Sequence, residues 1–158
     1  MKRRLLLTAS GLSLWLPMMA RAHHGWSSFD QTRPIYLAGR ASKVAWRNPH
    51  AEVHLEVKQP LLAVPSDLVQ RKLPAQSAQV DGPALLAKAE VPKRKDAVWE
   101  IELAPLTRME AWQVPEIKPG TELAVVGFTH EGEQGDAVLR AEYLFLGDKV
   151  YGLRSSPA

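Results

Sequence analysis

The sequence contains no cysteine. That excludes disulfide bridges, thiolate metal sites and thiol nucleophiles, so any metal must be held by imidazole, carboxylate or amine. It also lacks a phosphate-cradling glycine loop, a dinucleotide fingerprint, an HExxH helix and a haem-attaching CxxCH. Ser27 and Ser28 follow His24 closely, but neither sits in a G-x-S-x-G elbow. The carboxylates Asp30, Glu100 and Glu102 suggest no catalytic pair, and the last two share the wet face of one strand pattern. Enzymatic chemistry would therefore have to come from a metal. No apolar run reaches the about 20 residues of a membrane-spanning helix. The longest, LLLTASGLSLWLPMMA, is interrupted by Thr8, Ser10, Gly11, Ser13 and Pro17.

That run is preceded by Met1-Lys2-Arg3-Arg4 and followed by Ala20-Arg21-Ala22, with small residues at the two positions a signal peptidase inspects. The pattern predicts a secretory signal peptide over residues 1–22, cut after Ala22, and hence a periplasmic protein with no integral membrane anchor left after cleavage. Arg3-Arg4 followed by Leu6-Leu7 also fits a twin-arginine export signal, so the sequence leaves the route open. Cleavage changes the charge balance. Lys2, Arg3, Arg4 and Arg21 leave with the leader, so 20 basic residues become 16 against 17 acidic ones. A near-neutral processed chain has no general electrostatic reason to hold nucleic acid.

With 158 residues the expectation is one domain, residues 23–158 after cleavage. YLAGRASKVAW and AEVHLEVK read as strands joined at RNPH, and the second alternates apolar Ala51, Val53, Leu55 and Val57 with Glu52, His54, Glu56 and Lys58. Residues 59–96 hold five prolines and no aromatic residue. They read as a Pro/Ala-rich insertion with short helices around Asp67 to Lys72 and Pro83 to Ala89, poorly ordered because the scattered Leu and Val keep no period, or else a functional flap. AVWEIEL is a third strand, PLTRMEAWQV a short helix with Leu106, Met109 and Trp112 on one stripe, and KPGTELAVVGF a turn and strand. AVLRAEYLFLGDKVYGL reads as one long last strand bent at Gly147-Asp148. Strand, strand, strand, helix, strand, strand is the order of the OB-fold, a mainly β, five-stranded, partly open barrel with one short helix between strands 3 and 4. An antiparallel sandwich is the alternative architecture.

The motifs AHHGWSSFD, GRASKVAWRNPH, VWEIEL, LTRMEAW and KPGTELAVVGF together resemble a family of small exported bacterial proteins known mainly as a domain of unknown function. The resemblance spans nearly all of the processed chain except residues 59–96. Ala111 departs from it, since the family usually has Gly before the tryptophan. The resemblance implies export and a small β-rich domain, and brings no activity with it.

The chemistry lies in five histidines, His23, His24, His50, His54 and His130. Cleavage after Ala22 gives His23 a free α-amine, which with its own imidazole can chelate one metal ion. A third nitrogen from another histidine would complete a T-shaped brace, and such nitrogen donors favour Cu(II). His50 and His54 lie about 13 Å apart along a strand, so only one of them is expected to join, with His50 first because a loop edge is easier for the terminus to reach. Four of the histidines also have a plainer reading. His54 between two glutamates suits a surface ion pair, His130 beside Glu131 suits a loop, and His23-His24 suits a loose terminus. Of the tryptophans, Trp99 and Trp112 belong to apolar stripes, while Trp26 and Trp46 fall near the histidines. The functional expectation is an exported binding or accessory protein holding Cu(II) at its new terminus. The rivals are a metal-free module docking an envelope protein partner, and a copper-dependent redox enzyme.

Overall fold

The computed structural model describes residues 25–158. The expected leader, its cleavage site, His23 and His24 lie outside the described residues. The alternation seen in the sequence becomes β1 (Ile35–Ala45), β2 (Glu52–Val57) and β3 (Val98–Glu102), and the later strands are β4 (Glu122–Phe128), β5 (Val138–Leu146) and β6 (Lys149–Gly152). Two α-helices interrupt them, α1 (Gly82–Lys88) and α2 (Leu106–Ala111). β1 pairs antiparallel with both β2 and β4, β2 with β3, and β4 with β5. A parallel seam of Glu100, Ile101 and Glu102 against Val138, Leu139 and Arg140 joins β3 to β5 and closes the ring. The result is an OB-like five-stranded barrel with α2 between β3 and β4, as the element order predicted, but it is closed rather than partly open and carries β6 as an added strand.

Irregularities in the ladders supply the curvature that closure needs. One lies in β1 between Ala41 and Lys43 and another where β4 meets β5 at Val126 and Gly127, which leaves Glu142 as the extra residue on β5. Gly127 is required here, because a Cβ would sit 2.1 Å from the Arg140 carbonyl oxygen. Inside the barrel, Leu37, Val53, Leu55, Trp99, Val125 and Leu144 are almost fully buried. Met109 of α2 is buried with them, while Leu106 and Trp112 pack more loosely on the same core, as the stripe in the sequence suggested. The β1–β2 loop caps α2, since Asn48 Oδ1 accepts from the Leu106 amide at 3.2 Å.

Two expectations need correction. The last segment is not one bent strand. β5 and β6 form a hairpin in which Leu146 faces Lys149 across the two-residue turn Gly147-Asp148, with Gly147 at φ +56°. Nor are residues 59–96 a loose excursion. They lie over the outer wall of the barrel, where Leu68 and Leu86 are buried against outward-facing Tyr36, Val126, Tyr143 and Phe145. The expected helices are a 3-10 turn at Leu68–Gln70 and α1, the latter capped by Asp81, which accepts from the Ala84 amide, with Pro83 in its first turn. The apolar residues of the segment showed no period because an irregular path delivers them to the wall one at a time. Its return is tied to the start of β1, with the Tyr36 amide donating to the Glu90 carbonyl at 2.8 Å. Among the described residues no helix is long and apolar enough to cross a membrane.

Candidate functional site

The described chain starts as an arm laid across the outside of β4 and β5. After Gly25 comes a 3-10 turn, Trp26–Ser28, then buried Phe29, and the Asp30 amide donates to the Thr129 carbonyl at 2.8 Å. Asp30 Oδ1 holds the next turn by accepting from the Thr32 amide at 3.0 Å. Trp26 meets Phe128 edge-on at 6.3 Å between centroids. The Arg154 guanidinium lies 3.7 Å from the Trp26 ring centre, and Arg140 lies 4.6 Å from that of Phe29. Such cation–aromatic contacts are strongest where water is excluded.

The two arginines are themselves held in place. Arg140 Nε donates to Glu102 at 2.8 Å, and Arg154 Nε donates to Glu142 at 2.7 Å. Glu142 is wholly buried and also accepts from Gln76 of the insertion at 3.4 Å. Burial pushes the Glu142 carboxyl above the usual range, outweighing Arg154 and Gln76. The insertion and the C-terminal segment thus converge on the bulged Glu142 of β5, and the arm packs on Arg154, which Glu142 holds. This polar seat was missed from sequence, although Arg140 and Glu142 inside the apolar run VLRAEYLFL were the signal that something must cover that wall.

The described histidines occupy three different places. His130 lies just past β4, with Nδ1 3.0 Å from the Ser28 carbonyl oxygen and its ring stacked on Phe29 at 4.7 Å and 18°. His54 is half-buried on the outer side of β2, opposite Lys43 and Glu100. His50 sits in the β1–β2 loop, at the other end of β1 from His130, because Ile35 at the start of β1 pairs with Gly127. Among the described residues no three His, Asp or Glu side chains gather as a metal site. Of the tryptophans, Trp99 is core, Trp46 and Trp112 pack partly against it, and Trp26 belongs to the arm.

Residues 13–64 match the model of a family of unknown function (DUF6152). The chain is similar to that family there. The matched stretch carries the arm, β1 and β2, and with them four of the five histidines. It bears out the resemblance to a domain of unknown function. No curated protein and no solved structure matches the chain.

A second cluster clips the lower edge of the arm. The Glu133 carboxylate, with its side chain 5% exposed, accepts from the amides of Lys93 and Arg94 at 2.9 Å each and from Arg33. Burial raises its pKa, but the two amides and Arg33 outweigh it and hold the group below the usual carboxylate range. Glu133 has φ +56°, a backbone strain that these contacts overcome. The face of an OB barrel that often binds ligands, β2 and β3, is different. Its outward positions are Glu52 opposite Glu102, His54 opposite Glu100 and Glu56 opposite Val98. With no aromatic side chain to stack on and several carboxylates, it is poorly suited to a polyanion.

Proposed function

We propose that this is a small exported binding protein of the bacterial envelope whose amino terminus, freed by cleavage after Ala22, binds Cu(II). The observation that carries the reading is the seating of the arm. First residues are usually loose unless something ties them down, and here Trp26, Phe29 and Asp30 tie the segment to the barrel three residues after His23. The α-amine and imidazole of His23 then form a chelate on a short tether rather than on a free tail. Ser28, which meets His130, is five positions after His23, so even fully extended chain between them spans no more than about 18 Å. Two nitrogens in one chelate ring, with imidazole as a further ligand, suit Cu(II) best among the common divalent ions. Bound copper would supply a cargo ion or a redox centre, and the chain's own part is to present the nitrogens.

The test uses the protein as the cell processes it. Intact mass of material recovered from the envelope fraction is expected to place the first residue at His23. Titration with Cu(II), followed by paramagnetic resonance, is expected to show one tightly bound ion with nitrogen ligands. A form carrying one extra Ala before His23 should lose that site. Equal copper affinity in both forms overturns the reading.

A further inference from the structure

We infer that a hollow on the outer wall of the barrel, where the cover of the insertion stops, binds an amphiphile with a single anionic head and an apolar chain. The wall is built in rows across β1, β4 and β5. Tyr36, Val126 and Tyr143 form one row and lie under the insertion, while Ala38, Ala124 and Phe145 form the next. Large side chains fill the first row, but the two alanines leave the second sunken beside Phe145. The resulting cleft has a volume of about 580 Å³, within the about 300–1,000 Å³ of small-molecule sites. Its lip carries Leu62, which is 47% exposed, although Leu68 and Leu86 of the same insertion are buried. An apolar side chain held open over an apolar floor is a place where a hydrocarbon chain gains by leaving water.

Charge selects the head. Three cations, Arg40, Lys58 and Arg71, line the cleft against two carboxylates, Glu56 and Glu122, so one positive charge is in excess. Arg40 lies between the carboxylates, paired with Glu122 at 3.0 Å and opposite Glu56 on β2. Arg71 is placed differently. Its Nη2 donates to the Gly147 carbonyl at 2.8 Å, its guanidinium lies 5.2 Å from the centre of the Phe145 ring, and no carboxylate forms an ion pair with it among the described residues. Backbone and ring hold the group still, and its other N–H donors are left to meet a ligand oxygen. A second cleft, of about 700 Å³, shares Arg71 as a wall, but there Asp81 balances the guanidinium and no charge is in excess. A carboxylate head on Arg71 would therefore set its chain over Ala38, Ala124 and Phe145, with Leu62 against its side. No histidine takes part, so this site is separate from the copper reading.

The test titrates the processed chain with dodecanoate, kept below its micelle concentration, by calorimetry, with thermal unfolding to show that each variant folds. Dodecyltrimethylammonium supplies the same chain on a cation, and acetate the same head without the chain. One saturable site is expected for dodecanoate, with dodecyltrimethylammonium at least about tenfold weaker and acetate not bound. Arg71→Gln removes the charge and Ala124→Leu fills the hollow, and each should weaken dodecanoate at least about tenfold. Leu62→Ser, at the exposed lip where folding is not at stake, should weaken it about three- to tenfold. Lys88→Gln, the same change of charge at the end of α1, should stay within about twofold of the parent. The form with one extra Ala before His23 should bind dodecanoate like the parent even where it loses copper, so the two readings fail separately. Absence of a saturable site, equal binding of the cationic amphiphile, or parent-like binding by both Arg71→Gln and Ala124→Leu overturns the inference. Binding to phosphatidylglycerol vesicles without binding of monomeric dodecanoate also overturns it, and makes this face a docking surface for a membrane instead.

Discussion

The two sides of this barrel follow the same strand alternation, yet their outward residues differ. On β1, β4 and β5 the outward positions Tyr36, Val126, Tyr143 and Phe145 are buried, and next to them Arg140 and Glu142 are buried as ion pairs, while only the far end of that wall, at Arg40 and Glu122, stays exposed. On β2 and β3 they are Glu52, His54, Glu56, Val98 and Glu100, which remain partly or fully exposed. What differs is the cover. Residues 59–96 and the arm shield the first wall from water, so apolar and paired charged groups are stable there. The second wall has only charge to keep it wet. An outer wall of a small barrel thus becomes core or surface according to what the loops do.

Four measurements can break or sharpen that contrast. Leu86→Ala removes the main contact of α1 with the covered wall. It should cost about 2–5 kcal/mol in urea unfolding, as buried leucine truncations do. Val98→Ala on the bare wall, where the side chain is 43% exposed, should stay within about 0.5 kcal/mol. Equal effects would mean that the insertion does not stabilise the barrel.

Glu142→Ala strips Arg154 of its buried partner. It should cost about 3 kcal/mol, near the low end for broken buried pairs because Arg154 keeps 21% of its side chain exposed. Glu56→Ala, on the bare wall, is the matching control and should be nearly silent.

Trp26→Ala tests the arm. Loss of the contacts with Arg154 and Phe128 should cost about 1–2 kcal/mol and make residues 25–33 the first point of proteolytic attack. Unchanged cleavage would mean that Phe29 and Asp30 hold the arm unaided.

The smallest effect is one of sign with pH. Glu133 is depressed in the folded chain, so its contribution is present above the ordinary carboxylate range and lost as pH falls through its folded pKa. Glu142 is raised, so its contribution is full below that range and lost as pH rises through its folded pKa. Thermal unfolding of Glu133→Gln should therefore fall less on acidification than the parent's. Glu142→Gln should remove a slope of opposite sign, and the same response from both would show that their environments have been misassigned.

The barrel was readable from sequence because its strands alternate cleanly and α2 shows its stripe of Leu106, Met109 and Trp112. The covers were not. Leu68 and Leu86 reach the wall from a proline-punctuated path with no repeating spacing, so no helical or strand period marks them. The hairpin at Gly147-Asp148 reads as a bend in one long strand, although a glycine-led pair between two apolar runs is a known hairpin signal. The histidines could be counted, and loop position alone ranked His50 first. That His130 meets a carbonyl 102 residues away in sequence is something no local spacing reports.

The seat of Trp26 also has a consequence in time. It is built from Phe128, Arg140 and Arg154, so the start of the chain must wait for its end. Contacts of such long sequence separation form late, because the closure entropy of a loop spanning almost the whole chain has to be overcome first. The barrel is therefore expected to close before the arm settles, and the fluorescence of Trp26 should change in a final, slower step of refolding. A chain truncated before Arg154 should still build most of the barrel but leave its amino terminus without a berth.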